Sequence, residues 1–152
     1  MVGVDLGARR IGVAVTDEAR TMALPRTTLE RSGDAAKDRA AVVRLAVESG
    51  AVTVVVGHPR SLDGSVGPAA RAVEAEAEAL AEDLAPHDIG LELFDERFTT
   101  VTAERELAAA GVRGPRRRAV VDRSAAAVLL SSWLDGAGTG SRDPGPGPGV
   151  TP

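Results

Sequence analysis

Three acidic residues occupy positions from which carboxylates could do chemistry. Asp5 lies inside an apolar strand pattern, Glu96 follows another strand pattern, and Asp122 stands near the start of the last helical pattern. A carboxylate in a core strand costs free energy unless it is paired or binds a metal. If both strands lie in the middle of a sheet, their carboxyl ends can converge, and a divalent cation would have to offset the repulsion between the acids. Oxygen ligands favour Mg²⁺ or Mn²⁺ over zinc, and two such ions about 4 Å apart can promote hydrolysis of a phosphodiester.

Each of these acids also has a purely structural interpretation, which spacing alone leaves open. Asp5 could cap a turn near the end of its strand, and Glu96 could form a surface ion pair with Arg97. Asp122, in the first turn of a helix, would interact favourably with the positive end of the helix dipole. That last interaction is compatible with metal binding, so the three acids stand as a hypothesis that the fold must support.

Two glycines flank Asp5 at a spacing that affects whether an ion or a phosphate can reach its carboxylate. Gly3 and Gly7 lie two residues to either side of it, so they share its face of the strand. Because glycine has no side chain, this face is expected to leave room for an ion or a phosphate to approach Asp5.

Composition bounds the class of protein. The chain has 152 residues, of which 43% are hydrophobic and 26% charged, which is typical of one soluble globular domain. The lack of cysteine excludes disulfides, cysteine-ligated zinc and a thiol nucleophile. The net charge of −4 argues against a surface covered in positive charge, though not against a local basic patch. No apolar stretch could span a bilayer and no signal peptide is visible, so a cytoplasmic protein without membrane contact is expected.

The first third of the chain predicts an antiparallel meander followed by a helix. Alternating apolar residues predict strands over residues 2–6, 11–15 and 21–29, and Pro25 would suit a strand at a sheet edge. A helix is predicted to start at Ser32-Gly33-Asp34 and to end at Gly50. Its predicted inner face consists of Ala36, Ala40, Val43 and Val47.

The rest of the chain predicts strands that alternate with helices. The β-branched run over residues 51–56 predicts a central strand buried on both faces, and residues 91–94 predict another strand. Helices are predicted over residues 68–84, after Thr99 or Thr100, and from about Ala119 onward, where Ala126, Leu129 and Trp133 share one face. This order describes an α/β fold with one mixed five-stranded sheet and helices on both faces. A single domain is predicted over residues 1–135, followed by a disordered glycine- and proline-rich tail over residues 136–152.

Charged side chains fall into an acidic stripe and a basic segment. The second helix carries the stripe Glu74, Glu78 and Glu82, which we interpret as a solvated face. Residues 111–118 form a basic loop that favours contact with phosphate over simple solvation, because the planar guanidinium of arginine pairs well with phosphate. The candidate phosphate contacts are Arg113, Arg116, Arg117 and Arg118, with Arg10 and Arg97 outside the loop. Aromatic residues make up only 2% of the chain, so backbone and shape recognition should dominate over base stacking.

The two histidines are weaker candidates for chemistry. His58 follows the predicted central strand, in a loop where ligands tend to bind in α/β sheets. We interpret it as a wall residue of the site rather than a general base. His87 lies in a connector and is interpreted as a surface residue.

Four ordered sequence blocks resemble the YqgF/RuvX family. The blocks cover residues 5–14, 56–64, 95–100 and 122–126 and read DLGARRIGVA, VGHPRSLDG, DERFTT and DRSAA. The resemblance extends over residues 1–134, and four blocks in the right order are more specific than any one of them. It implies a ribonuclease H-like fold in which Asp5, Glu96 and Asp122 are the metal-binding catalytic acids. The supporting positions are Gly3, Gly7, Gly57, His58 and Thr99.

The resemblance also implies a function. It points to a metal-dependent nuclease, with two Mg²⁺ or Mn²⁺ ions, that trims the 5′ end of precursor 16S rRNA, free or in a pre-ribosomal particle. Members are expected to have a few residues, often basic, before the first strand, which here begins at Met1.

Three alternatives to an rRNA nuclease are considered. The first is a Holliday junction resolvase-like endonuclease acting on branched DNA, which needs a homodimer because a junction has two-fold symmetry, whereas an RNA nuclease could be a monomer. The second is a nucleic-acid-binding factor that keeps the fold without cleavage. The third is a phosphotransferase of the actin or sugar-kinase type, which also opens with an Asp-x-Gly strand pair. That architecture needs two such domains, and 152 residues have room for one.

Overall fold

Five strands form the centre of the molecule. The computed structural model describes residues 1–60, 63–95 and 115–138, and in the last range it describes the side chains of residues 125–136. The strands are β1 Val2–Leu6, β2 Arg10–Thr16, β3 Ala23–Glu30, β4 Thr53–His58 and β5 Gly90–Asp95. They form one sheet in the order β3-β2-β1-β4-β5.

The sheet combines both kinds of strand pairing. β1, β2 and β3 are antiparallel neighbours, whereas β4 pairs in parallel with β1 on one side and with β5 on the other. This confirms the predicted meander followed by parallel strands. β1 is central, whereas β5 lies at the edge of the described sheet, so only β1 meets the condition that both strands lie in the middle of the sheet.

Sequence chemistry explains which strands are central and which are peripheral. β4 is buried on both faces, since Val54, Val55 and Val56 are all inaccessible to solvent, and this confirms the predicted central strand. β3 is the other edge strand and contains Pro25, which has no N–H to donate to a further strand. The pairing of β2 with β3 shifts register between Val13 and Ala14, next to this proline.

Three helices and one short 3-10 turn complete the described structure. The helices are α1 Ala35–Glu48, α2 Pro68–Leu84 and α3 Pro115–Gly138, and the 3-10 turn is Ala85–His87. Asp34 begins α1 by accepting hydrogen bonds from the backbone N–H groups of Ala36 and Lys37, at 3.0 and 3.2 Å. Gly50, with a φ of 66°, follows its end. Both predicted ends of α1 and the full extent of α2 are therefore confirmed.

The predicted inner face of α1 is wrong. Its buried residues are Asp38, Val42, Val43 and Ala46. Of the four residues predicted to be buried, Ala36, Ala40 and Val47 are exposed and line an open groove of about 620 Å³ beside the end of α2. The apolar residues Val42, Val43 and Ala46 face the core together with Asp38, whose burial is offset by a hydrogen bond of 2.7 Å from the Ser32 hydroxyl.

The helices cover both faces of the sheet, as predicted. On one face α1 and α2 pack against the sheet in an aliphatic core whose largest fully buried side chains include Ile11, Val42, Leu80 and Leu84. On the other face α3 packs Ala126, Leu129 and Leu130 against Ala14 and Val55. Trp133 packs at the margin and donates a hydrogen bond of 3.0 Å from Nε1 to Glu92. The predicted inner face of the last helix is therefore confirmed.

The bounds of α3 correct two predictions. It begins at Pro115, four residues before the predicted start, because proline suits the first position of a helix and its missing N–H costs nothing there. It ends at Gly138, three residues beyond the predicted domain boundary at 135. The helix predicted after Thr99 or Thr100 and residues 139–152 of the predicted tail lie outside the described residues. Within the described ranges, no helix combines the length and the apolar character needed to cross a membrane.

Candidate active site

The carboxyl ends of three parallel strands form one edge of the sheet. The ladders align Val4 with Val56 and His58 with Asp95, so β1, β4 and β5 end close to one another along this edge. We call it the carboxyl edge. Neighbouring strands lie about 4.8 Å apart, so the ends of β1 and β5, with β4 between them, are separated by about 10 Å. Such an edge is where α/β proteins commonly bind ligands.

Asp5 lies on the face of β1 that α3 covers. It shares that face with Gly3, and a Cβ atom placed on Gly3 would lie 2.8 Å from Leu130 Cβ and 2.9 Å from the Ala126 carbonyl oxygen. Helix α3 therefore rests directly on the backbone of β1, and Asp5 lies half-buried one residue before the end of the strand.

The two glycines beside Asp5 both allow a close approach of neighbouring backbone or side-chain atoms. The space at Gly3 is filled by α3, so the expectation that it leaves room for an ion or a phosphate is wrong. A Cβ atom on Gly7 would lie 2.6 Å from the carbonyl oxygen of Arg10, so glycine is required there by the tight connection between β1 and β2. Both glycines serve close approach of the backbone to its neighbours.

The other predicted acids are described in part or not at all. Glu96 lies outside the described residues, as do Arg97, Thr99 and Arg113. The backbone of Asp122 lies in α3, one helical turn before Ala126. Because α3 starts at Pro115, Asp122 is in its second turn, so the predicted interaction with the helix dipole, which is confined to the first turn, does not account for it. Among the described side chains, no cluster of three or more acids or histidines forms a metal site.

Three of the predicted phosphate contacts lie in a helix. Arg116, Arg117 and Arg118 belong to the first turn of α3, whereas the sequence predicted a loop over residues 111–118. The glycine before Pro115 favoured the loop interpretation, and the proline itself was the signal of a helix start.

His58 faces away from Asp5. It is the last residue of β4 rather than a loop residue, it is 8% exposed, and it shares the face of Val54 and Val56 that packs against α1 and α2. Its Nε2 lies 2.8 Å from Glu74 Oε1, yet the alignment is not that of a hydrogen bond, so Nε2 has no hydrogen-bond partner among the described atoms. His58 therefore lies against α2 and not in the wall of a site around Asp5, and its contact with Glu74 shows that Glu74 is not simply part of a solvated stripe. Gly57, just before it, is a buried residue of the same strand.

The connection between β1 and β2 is held by one arginine. Arg31, just after β3, donates from Nε to the Gly7 carbonyl at 3.0 Å and from its backbone N–H to the Arg9 carbonyl at 2.9 Å. Its two terminal nitrogens donate to the carboxylate of Glu76 on α2, at 2.5 and 2.8 Å. These hydrogen bonds to Glu76 raise the pKa of the Arg31 guanidinium. Neither Arg31 nor Glu76 was singled out from the sequence.

Asp38 extends this network to α1. Its carboxylate lies 4.0 Å from Arg31 and accepts hydrogen bonds from the hydroxyl and the backbone N–H of Ser32. The Ser32 hydroxyl contributes most to lowering the pKa of Asp38, and it outweighs the opposing effect of burial. The β1–β2 connection is therefore tied to both helices on one face of the sheet.

Two arginines stand in or next to this connection. Arg10 forms an ion pair with Glu30 across the β2–β3 ladder, with Nε and Oε1 3.3 Å apart and both side chains well exposed. Such exposed pairs contribute about 0–1 kcal/mol. Arg9 is also exposed, and none of the described residues forms an ion pair with its guanidinium.

Comparison with solved structures establishes the class of fold. RuvC of T. thermophilus in complex with a Holliday junction substrate has a TM-score of 0.57, with 12% identity over 93% of this chain and 97% of that chain. The yeast mitochondrial Holliday junction resolvase Ydc2 has a TM-score of 0.53, with 13% identity over 88% of this chain and 76% of that chain. The five-stranded sheet with helices on both faces is a ribonuclease H-like fold.

Comparison of sequences establishes the family. The family model described as "RuvX: Holliday junction resolvase" matches residues 1–136. A relative from Mycolicibacterium paratuberculosis is 44% identical over 148 residues, which cover 96% of this chain and 86% of the relative. Another, from Mycobacterium tuberculosis, is 46% identical over 136 residues, covering 88% and 77%. Both carry the name "Putative pre-16S rRNA nuclease". The chain belongs to the RuvX family, and its class of activity is the hydrolysis of phosphodiester bonds in nucleic acid.

Proposed function

We propose that this chain is a metal-dependent nuclease whose active site lies at the carboxyl edge, with Asp5, Glu96 and Asp122 as its catalytic acids. The observation that carries the proposal is the packing of α3 on β1, in which the Ala126 carbonyl lies against Gly3. Asp122 precedes Ala126 by four helical residues, or about 6 Å, and Asp5 follows Gly3 by two strand residues, or about 6.6 Å. We infer that the amino end of α3 points toward the carboxyl edge, in which case these two steps bring both acids to the same level. Glu96, directly after β5, completes the set from that edge.

The chemistry of these side chains fits a divalent metal. The three acids offer only oxygen ligands, the donor set that suits two Mg²⁺ or Mn²⁺ ions. Such ions, when bound, polarise the phosphodiester and make a nearby water more acidic. Asp5 would be the most rigid of the three ligands, because β1 is paired on both sides by β2 and β4. A rigid ligand keeps the reacting groups aligned without further reorganisation.

Positive charge near the carboxyl edge would bind the substrate backbone. Arg116, Arg117 and Arg118 belong to the first turn of α3, where free backbone N–H groups add to the attraction for phosphate. Arg10, Arg97 and Arg113 are the other proposed contacts, and Thr99 stays a proposed supporting residue. These contacts recognise the backbone and not the base sequence.

The proposed substrate is precursor 16S rRNA, trimmed at its 5′ end in the cytoplasm, either as free RNA or in a pre-ribosomal particle. The names of the relatives at 44% and 46% identity support this choice. A monomer would suffice for it.

A second candidate is a four-way DNA junction. The description of the matching family and the likeness to a resolvase bound to a junction support it. A junction is two-fold symmetric, so this activity would require a homodimer.

One cleavage experiment decides between these substrates. The wild-type chain and the Asp5→Asn variant are incubated with a 5′-extended 16S rRNA fragment and with a synthetic four-way junction, each with Mg²⁺, Mn²⁺ or EDTA. We expect metal-dependent cutting of the RNA. Because metal assistance is worth several kcal/mol, we expect Asp5→Asn to lower the rate by at least about a hundredfold. Glu96→Gln and Asp122→Asn should behave alike.

The outcomes of this experiment are distinct. Symmetric cuts in the junction, with the RNA intact, would show that the protein is a resolvase and not an rRNA nuclease. Equal cleavage by the wild type and all three variants would remove the acids from the mechanism. Binding that persists in EDTA, with no cleavage under any metal, would leave only a nucleic-acid-binding factor.

A further inference from the structure

The residues that join β1 to β2 lie outside the strand ladders, so other contacts must fix them. β1 ends at Leu6 and β2 begins at Arg10. Within this connection, two carbonyl groups accept hydrogen bonds from the same residue, Gly7 from Arg31 Nε and Arg9 from the Arg31 backbone N–H. Arg31 thus holds the connection at both ends.

Arg31 is itself held in a fixed orientation. Glu76 accepts hydrogen bonds from both terminal nitrogens of the guanidinium, and only 20% of the Arg31 side chain and 17% of the Glu76 side chain are exposed. A two-point contact between planar groups restricts rotation as well as distance. Because Glu76 belongs to α2, the connection is tied to an element that packs on the sheet.

The connection presents positive charge at the carboxyl edge. It begins two residues after Asp5, and it contains Arg9, which is exposed and has no ion-pair partner among the described residues. Arg10, the first residue of β2, is exposed and pairs with the exposed Glu30. A guanidinium on an ordered backbone loses less freedom when it binds phosphate than one on a mobile loop.

We propose that Arg31 and Glu76 are a positioning pair that orders the β1–β2 connection, so that Arg9 contacts a phosphate of the nucleic acid next to Asp5. This inference rests on the proposed function for its nucleic-acid substrate and for the location of the site. It adds Arg9 as a contact and assigns Arg31 and Glu76 a role that does not involve touching the substrate.

Loss of the Arg31–Glu76 pair should change substrate binding more than the rate of the chemical step. The backbone of Asp5 is held by its own ladder pairing with Gly12, independently of Arg31. Loss of the pair should therefore weaken nucleic-acid binding and raise KM, with a smaller effect on kcat. Each lost phosphate contact should also lower the slope of log Kd against log salt concentration by about 0.7 to 0.9. A pair that only stabilised the fold would not change that slope.

The test measures binding in EDTA, so that it does not depend on cleavage. The probe is the 5′-extended 16S rRNA fragment, with the four-way junction as a second probe, and Kd is followed by fluorescence anisotropy at several salt concentrations. The variants are Arg31→Gln, Glu76→Gln and Arg9→Gln. We expect each to raise Kd by about tenfold, as for the loss of one hydrogen bond to a charged group, and to lower the salt slope.

Arg39→Gln is the matched control. Arg39 is 21% exposed and links α1 to α2 through Asp83, with Nε and Oδ2 2.9 Å apart, and among the described residues it forms no hydrogen bond or ion pair with the β1–β2 connection. We expect its Kd and salt slope to equal those of the wild type. Arg31→Lys, which keeps the charge but not the two-point contact, replaces Arg31→Gln if circular dichroism shows that the latter does not fold.

A double variant separates positioning from independent binding. If Arg31 acts through Arg9, then Arg9→Gln combined with Arg31→Gln should bind about as weakly as either single variant. Additive losses, or wild-type Kd and salt slope in folded Arg31 and Glu76 variants, would overturn the inference. Lost binding in these variants without cleavage by the wild type would overturn the proposed nuclease and leave the positioning pair standing.

Discussion

Two side chains, Asp38 and His58, are the buried polar or charged residues among those that the structure describes. Asp38 has the partners that a buried carboxylate needs, because the hydroxyl and the N–H of Ser32 both donate to it. His58 has a carboxylate within 2.8 Å but no aligned hydrogen bond. The surroundings of Asp38 therefore fix it firmly, and the hydrogen bonds from Ser32 lower its pKa.

The ionisation of Asp38 should make stability depend on pH. Because the folded state lowers the pKa of Asp38, chiefly through the Ser32 hydroxyl, the carboxylate stabilises the fold at pH values above its unfolded pKa of about 3.9. That contribution is lost as the pH falls from there through the lower folded value. Asp38→Asn should therefore lower Tm at neutral pH and make Tm fall less steeply in acid. Thermal unfolding across this range measures the effect.

Asp88→Asn is the control for this pH dependence. Asp88 is exposed and has a φ of 58°, a conformation that asparagine also tolerates. Its Tm profile should follow that of the wild type. If Tm of Asp38→Asn fell in acid as steeply as Tm of the wild type, Asp38 would not be the cause of the pH dependence.

At the scale of elements, the contact between α3 and β1 determines the geometry of the candidate site. Leu130 and Ala126 occupy the space beside Gly3, and each buried Leu contributes about 1.5–3 kcal/mol. The same contact fixes the level of Asp122 relative to β1. A substitution that pushes α3 outward should therefore cost stability and also disturb the proposed site.

Gly3→Ala tests this contact. The added methyl group would lie 2.8 Å from Leu130 Cβ and 2.9 Å from a backbone oxygen that cannot easily move. We expect the free energy of unfolding to fall by about 1–3 kcal/mol, as for an overpacked core. In Gly136→Ala, near the end of the same helix, the methyl group would meet nothing within 4 Å. That variant should gain about 0.5–1 kcal/mol from helix propensity. Equal stability of Gly3→Ala and the wild type in urea unfolding would contradict the close packing.

The elements that could be predicted from the sequence are those whose buried residues follow a local pattern of apolar residues. The β4 strand is predicted by its continuous β-branched run and α2 by the helical spacing of its apolar residues, and in both most residues of that pattern are buried. The inner face of α1 was misjudged because the pattern treats aspartate as exposed, whereas Asp38 is buried with its own hydrogen-bond donor. Pro115 was assigned to a loop although it begins a helix.

At the scale of the whole molecule, contacts between distant residues mark the limit of prediction from sequence. Arg31 and Glu76 are 45 residues apart, so no local pattern relates them, and their pairing requires the packing of α2 on the sheet. Likewise, the family resemblance predicted which acids are catalytic, but it could not show how α3 lies on β1, on which the proposed approach of Asp122 to Asp5 depends. The predicted roles of the three acids Asp5, Glu96 and Asp122, of Thr99 and of the arginines proposed to contact phosphate all stay predictions.

The proposed mechanism takes place at the carboxyl edge of the sheet. An aspartate near the opposite edge can therefore serve as a control for Asp5. Asp5 lies near the carboxyl end of β1, whereas Asp88 lies two residues before the amino end of β5. Both can be changed from aspartate to asparagine with the same loss of charge. A difference between the two variants therefore reports on location and not on net charge.

The most direct test of the account is the calorimetric titration of Mn²⁺ into the wild type, Asp5→Asn and Asp88→Asn. If Asp5 is a metal ligand at the carboxyl edge, the wild type and Asp88→Asn should bind Mn²⁺ with equal affinity. Asp5→Asn should bind at least about tenfold more weakly, since changes even to groups around a metal ligand cost that much. Identical isotherms for all three proteins, or no binding by the wild type, would contradict the assignment of a metal centre to this edge.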